Sequence, residues 1–434
     1  MHDPRKRRST RFLTFLLFTL FVVAIIVNAH PATILAQSAT TTPTETITYT
    51  PSPYTPTITL TPSSTPTPLP TLAALLPNRE VITAANASQL GKYREWQAQD
   101  EYVTGIAFIP HSTRLVSTGL QFVHPEHPTP IRMWDIQESG ITQIENFFED
   151  IPHYLLYDIH NLSLSPDGTR IVATANGIQV WEADSGRLIG RVLQSGGDVA
   201  SLDASNQTLF VGGVNFVGDA GKMIGMWQIA EYIPANGPDA PPLPTEYVFN
   251  PQGGLVQTFP IGETVTHLLY DDDTRQLFAL TISGRLLIYK FRDQYNYDLM
   301  VVPQASASLS DQIPPPADSL HNMTINRVDH VIAYSDRNHD VVVYDYVKNE
   351  VVGRYPLGRL TSCLNYSPDG RLLLMTDWDF EIKLQLFDTT TQKLVAEIVT
   401  GQTILTCTFS WDGKFIATGD VEGKIVLWGV PSKS

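Results

Sequence analysis

Cysteine is nearly absent, with two residues in a chain of 434. A disulfide framework and the clustered thiolates of a zinc module are thereby excluded, so the fold must stand on its apolar core. Positive charge is short as well. Lys and Arg number 29 against 44 Asp and Glu, a formal net charge of -15. The basic footprint that neutralises a phosphate backbone is missing, which excludes nucleic acid as a partner. Charged residues of both signs make up 17%, below the roughly 25% of an average globular protein. Thr, Pro and β-branched residues are frequent instead, a composition that favours sheet over helix.

Catalytic signatures are also missing. There is no nucleophile elbow, no Gly-rich phosphate loop and no Cys-x-x-Cys, and the His-x-Glu at His124 lacks the cysteines of a zinc deaminase. His124-Pro125-Glu126-His127 offers at most three ligands on a proline-restricted backbone, too few for an ordered zinc site. No metal and no cofactor is expected.

What is present begins with Arg5, Lys6, Arg7, Arg8 and Arg11, followed by an uncharged run from Phe12 to Val27. The run is shorter than the about 20 residues of a spanning helix, and Ala29 and Ala36 supply small residues for cleavage. Residues 1–36 therefore read as a signal peptide, with an uncleaved signal anchor as the alternative. The basic flank stays inside and the remainder is expected outside the cytoplasm, secreted or tethered at the cell surface. Membrane contact is expected only through residues 12–27 if they are retained. No cysteine follows the run, which excludes a lipid anchor on Cys.

Residues 37–78 are dominated by Thr, Pro and Ser. Such a stretch cannot bury enough apolar surface to order itself and reads as a disordered, solvated linker open to O-glycosylation. Five Asn-x-Ser/Thr sequons occur, at Asn86, Asn161, Asn206, Asn322 and Asn365. All but the first fall in expected strands or tight turns, so sugar is not expected there.

From residue 79 to 434 one spacing recurs. Twelve residues separate the apolar openings of successive runs: Val103 to Leu115, Ile159 to Ile171, Val265 to Leu277, Leu320 to Ile332 and Ile404 to Ile416. Within the first run of each pair, residues such as Ile106/Phe108, Leu162/Leu164 and Cys407/Phe409 alternate with period 2, as half-buried strands do. Ser165-Pro166-Asp167-Gly168, Ser367-Pro368-Asp369-Gly370 and Ser410-Trp411-Asp412-Gly413 supply turns between runs, and Asp271-Asp272-Asp273 reads as a solvated turn in the same place. A third run then closes on an aromatic: Trp134, Trp181, Trp227, Tyr289, Tyr344, Phe387 and Trp428. Those aromatics lie between 41 (Phe387 to Trp428) and 62 (Trp227 to Tyr289) residues apart.

Seven four-stranded units of this length, with Ile131-Arg132-Met133-Trp134-Asp135, Val180-Trp181, Leu386-Phe387-Asp388 and Ile425-Val426-Leu427-Trp428 at strand ends, resemble the WD40 repeat. The resemblance implies an all-β, seven-bladed propeller of antiparallel blades. No Gly-His dipeptide precedes a blade, and Asn176, Ser283 and Glu422 stand where the family carries a turn Asp. The family's buried network among His, Asp, Ser and Trp is therefore expected to be lost. Too few residues follow Trp428 for a fourth strand. The segment Gln89 to Trp96 is expected to complete the last blade and close the ring.

A propeller gathers on one face the loops that enter each first strand and those joining second to third strands. Glu101, Asp158, Asp198, Glu263 and Asp318 stand before five opening strands, with Arg359 before a sixth. Converging carboxylates would focus a negative potential there. Phe122, His124, Phe147, Phe148, Tyr154, Tyr157, Phe216, Trp378 and Phe380 supply aromatics in loops of the same face, the residue types enriched at interface hot spots. The expected function is a binding scaffold for a protein, peptide or glycan, acting as a monomer. The alternative is a propeller hydrolase acting on a glycan or lactone, with Asp158 and Glu263 as acid and base. Two long insertions, Tyr232 to Pro260 and Tyr295 to Leu320, read as extra surface or disordered loops. Cys363 and Cys407 fall on opposite faces of successive opening strands. Such faces meet between neighbouring blades, so an inter-blade disulfide stands beside two buried thiols as an expectation.

Overall fold

The computed structural model describes residues 76–120, 131–147, 161–175, 177–186, 188–192, 199–212, 223–228, 255–261, 263–293, 296–303, 322–357, 360–377 and 382–432. The basic flank, the apolar run and most of the Thr/Pro stretch lie outside them. Among the described residues there are twenty-eight strands and one short 3-10 turn, Ala87–Gln89. The strands form seven four-stranded antiparallel sheets, so the protein is an all-β, seven-bladed propeller.

The first strand, β1 (Gly91–Gln97), belongs to the last blade. Blade 1 is then β2 (Tyr102–Phe108), β3 (Arg114–Leu120), β4 (Ile131–Gln137) and β5 (Gly140–Phe147). Blade 2 is β6 (Asn161–Leu164), β7 (Arg170–Ala175), β8 (Gly177–Glu182) and β9 (Leu188–Val192), and blade 3 is β10 (Val199–Leu202), β11 (Thr208–Gly212), β12 (Met223–Gln228) and β13 (Leu255–Pro260). Blade 4 is β14 (Val265–Asp271), β15 (Gln276–Thr281), β16 (Leu286–Phe291) and β17 (Tyr297–Val301), and blade 5 is β18 (Met323–Asn326), β19 (Val331–Ser335), β20 (Val341–Asp345) and β21 (Glu350–Tyr355). Blade 6 is β22 (Thr361–Tyr366), β23 (Leu372–Asp377), β24 (Lys383–Asp388) and β25 (Lys393–Val399). Blade 7 is β26 (Ile404–Phe409), β27 (Phe415–Asp420) and β28 (Lys424–Gly429), with β1 paired antiparallel on β28 from Gly91↔Gly429 to Gln97↔Lys424. The ring closes as the sequence leads one to expect.

Each blade packs against a neighbour on both faces, so second strands have no wet side. All six residues of β15, β23 and β27 are buried, which is why Leu372-Leu373-Leu374-Met375 reads as a continuous apolar run rather than an alternation. The outer strands are half-exposed, as the pattern of β21 shows. Each long insertion contains a blade strand: Leu255–Pro260, at the end of the first, and Tyr297–Val301, near the start of the second, are the fourth strands of blades 3 and 4.

The turns between first and second strands follow from their chemistry. In Ser165-Pro166-Asp167-Gly168, the Ser165 hydroxyl donates to Asp167 Oδ1 at 2.6 Å and accepts the Arg170 N–H at 2.9 Å. Ser367 with Asp369 and Ser410 with Asp412 repeat the arrangement, at 2.7 Å in both cases. Gly168 and Gly370 sit at φ 72° and 71°, the left-handed region that a side chain disfavours. Trp411 in place of proline changes none of this, and its indole N–H reaches across to the Ser112 carbonyl of blade 1 at 2.9 Å. Similar ties link the same turns of other blades. Asn206 donates to Asp167 at 2.8 Å, the Ala204 N–H meets both oxygens of Asp272, and Arg327 meets Asp271 at 3.2 Å.

In the Asp271–Asp273 turn Asp273 is exposed and Asp272 half-buried, as the solvated reading expects, while Asp271 departs from it. Asp271 is 1% exposed and also accepts from Thr274 at 2.6 Å and from the Tyr346 hydroxyl at 3.4 Å. A carboxylate buried at a blade junction needs such partners, because stranding it costs more than any one bond returns.

Cys363 and Cys407 form a disulfide between the inner strands of blades 6 and 7, with Cα atoms 5.8 Å apart. A cross-link closing a loop of this size typically contributes about 2–4 kcal/mol through the unfolded state. Beside it, the Asn365 carboxamide accepts the Phe409 N–H at 3.0 Å, so covalent and hydrogen-bonded links share one junction.

Candidate functional site

The strand order places Glu101, before β2, and Glu263, before β14, on one face of the ring. Glu263 is not a free carboxylate. It accepts from the Ser283 hydroxyl and forms an ion pair with Arg285, both in or just after the turn between β15 and β16. The same pattern recurs around the face. Arg354 lies 2.7 Å from Asp336 and 3.4 Å from Asp340, Arg132 lies 3.4 Å from Asp100, and Lys424 lies 3.5 Å from Glu422. Burial works against the Arg354 cation, but the Asp336 and Asp340 carboxylates outweigh it and raise its pKa. Burial, with the Glu101 charge, likewise raises the Tyr102 phenol. As described, this face carries paired charges, suited to polar contacts of both signs.

Asp158, Asp198, Asp318 and Arg359 lie outside the described residues, and so do Phe122, His124, Tyr154, Phe216, Trp378 and Phe380. Of the sequence-derived face, the described residues include Glu101 and Glu263, which share one face of the ring but stand before blades 1 and 4. The cations Arg132, Arg285 and Arg354 were missed. A signal was available for two of the pairings, since Arg285 and Lys424 each follow a left-handed turn glycine, Gly284 and Gly423.

The turns between second and third strands are built by an acceptor at the end of the second strand, not at the positions of Ser283 and Glu422. Asp420 Oδ1 accepts the N–H of Glu422 at 2.8 Å and of Lys424 at 2.9 Å. Asp336 Oδ1 accepts from Asn338 and Asp340, Asp377 Oδ1 from Lys383, and the Thr281 hydroxyl takes the Arg285 N–H. Part of the buried network expected to be lost is also kept. In blade 1 the Trp134 indole donates to Ser117 Oγ at 2.9 Å, and Gln99, standing where a histidine was sought, donates to the same oxygen at 3.1 Å. In blade 7 Trp428 donates to Thr418 Oγ1 at 2.9 Å. In both blades a hydroxyl on the second strand satisfies the indole N–H of the third.

These features define a closed seven-bladed propeller with a polar loop face. The family model for WD domain, G-beta repeat matches residues 392–429, which span β25 and the three C-terminal strands of blade 7. The protein is a seven-bladed β-propeller whose C-terminal blade is similar to the WD repeat. No curated protein matches the chain. Propellers of this kind are commonly interaction scaffolds and typically not enzymes, although fold alone does not assign function.

Proposed function

We propose that the protein is an extracytoplasmic binding scaffold whose loop face, carrying Glu101 and Glu263, holds an exposed segment of a protein, peptide or glycan partner. The observation that carries this reading is the complete ring, whose last blade matches the WD domain model. A closed ring gathers loops from seven blades on one face, where several can meet one ligand. The paired charges on the described part of that face support a partner with polar groups of both signs. The basic and apolar N-terminus and the buried disulfide support an oxidising, exported setting. The scaffold acts as a monomer.

The test is retention of partners from cell-envelope extract by the immobilised full chain, run beside a Trp378→Ala/Phe122→Ala double variant. The variant should melt like the parent and lose the retained species. Equal retention by both would remove the aromatic loops from the binding face, and no specific retention would remove the scaffold reading.

A further inference from the structure

The disulfide lies in the seam that closes the ring. One apolar cluster contains Cys363 and Cys407, together with Leu374, Leu386, Phe409 and Trp428 of blades 6 and 7. The same cluster takes in Ile82, Ala87 and Leu90, from the segment that leads into β1. This segment, residues 76–90, is a strap. Leu76 is buried against Trp134 and Phe415 on the blade 1 side, and the Asn78 N–H meets Glu138 at 2.7 Å. It then crosses blade 7 through Glu80 N–H to the Val430 carbonyl at 3.3 Å and Ile82 N–H to the Gly413 carbonyl at 2.9 Å. Only after that does it bury Ile82 in the apolar cluster that also holds the two cysteines.

Cys363 and Cys407 are 6% and 5% exposed. Thiol–disulfide exchange requires a third sulfur to approach one of the two through a mixed disulfide. With both cysteines this buried, such an approach is blocked while the cluster is intact. Making or breaking the bond therefore requires an opening of the seam. The strap is the piece of that seam held by the fewest backbone bonds, whereas the blades beside it are full sheets. Local openings are drawn from such weakly held segments.

We propose that Cys363–Cys407 is a shielded closure lock: the bond forms while the strap and β1 are undocked, and their docking then denies access to reductant. The inference goes beyond the binding role and stands whatever the partner is. In the exchange used to test it, one thiolate of dithiothreitol attacks a cysteine sulfur and expels the other cysteine as a thiolate. The second dithiothreitol thiolate then resolves the mixed disulfide. Two electrons pass to the protein, giving two cysteine thiols and cyclic oxidised dithiothreitol. Formation is the reverse, with a small-molecule disulfide as oxidant.

The experiment treats the native full chain with dithiothreitol, quenches with iodoacetamide at intervals, and counts alkylated cysteines by intact mass. It compares the parent with Ile82→Ser in the strap and with Ile171→Ala, a core variant between blades 1 and 2, with melting temperatures measured for each. The parent should resist reduction, and Ile82→Ser should be reduced at least tenfold faster than the parent. Ile171→Ala should keep the parent's rate despite its lower melting temperature. Should Ile82→Ser not fold, Leu90→Ala at the edge of the same cluster replaces it with the same expected direction. Equal acceleration in the strap and core variants would mean that only global unfolding exposes the bond, and would overturn the proposal. Rapid reduction of the parent would overturn it as well.

Discussion

Asp420 carries two opposed demands. It is 6% exposed, and burial raises its pKa above the ordinary carboxylate value although the Lys424 and Glu422 N–H groups pull the other way. A raised carboxyl pKa means that the folded state holds the proton more tightly than the unfolded chain. Its contribution to stability is then present below the unfolded value of about 3.9 and is lost as pH rises through the folded value. Asn keeps the acceptor oxygen and cannot ionise. Asp420→Asn is therefore expected to hold or raise the melting temperature at about pH 7, with a smaller advantage over the parent at about pH 4. Asp420→Ala strands two N–H groups and should cost about 1–3 kcal/mol at either pH. Thermal melts of the three proteins at both pH values decide it; an Asn variant as unstable as the Ala variant would mean that the charge itself is needed.

At the scale of elements, closure rests on β1 and the strap before it. Tyr93 and Trp96 of β1 pack on the cluster formed by Phe415, Leu427 and Trp134, which also holds Leu76, and Ile82, Ala87 and Leu90 are buried in the cluster that holds the two cysteines. Each large aliphatic side chain so buried is worth about 1.5–3 kcal/mol, and removing β1 also bares the edge of β28. Deletion through Trp96 is expected to give insoluble or molten protein; a folded monomer of unchanged melting temperature would refute the clasp. This element was legible because a missing fourth strand at Trp428 had a matching spare at Gln89–Trp96. The twelve-residue spacing was legible for a similar reason, since it measures a two-strand hairpin whose register a fixed turn sets. The fourth strands of blades 3 and 4 were not, because outer strands are half-exposed and their alternation fades into the insertions. Nor were the bulges that shift register at Trp134, Trp181, Trp227, Tyr344 and Phe387 between third and fourth strands. A bulge re-aims a side chain without changing which residue types the strand contains. The candidate face was the least legible part: carboxylates show in a sequence, whereas the cations that pair with them come from other strands.

At the scale of the whole molecule, the identity of the core aromatics divides the ring. Blades 1, 2, 3 and 7 close on Trp134, Trp181, Trp227 and Trp428, which do not titrate. Blades 4, 5 and 6 hold the buried phenols Tyr289, Tyr334, Tyr344, Tyr346, Tyr355 and Tyr366. Burial pushes the Tyr355 hydroxyl up to about 12, aided by Asp388, and burial raises the other five as well. The unfolded chain releases these protons near pH 10, so the stability they contribute is present below that value and is lost as pH rises from there through the folded values. Alkaline unfolding should therefore begin above about pH 10 and be driven mainly from the side of blades 4 to 6, with Tyr102 of blade 1 a smaller contributor. Whether it stays on that side depends on closure. An open array of repeats can melt in parts, because each repeat contacts only its neighbours, but a ring bolted by β1 and by Cys363–Cys407 has no free end from which to fray. Tyrosinate absorbance from blades 4 to 6 and tryptophan emission from the remaining blades are thus expected to change together along an alkaline titration. In a variant lacking β1 that still folds, tyrosinate should appear at lower pH than the tryptophan change. Separation of the two signals in the parent itself would mean that the seam does not transmit unfolding around the ring.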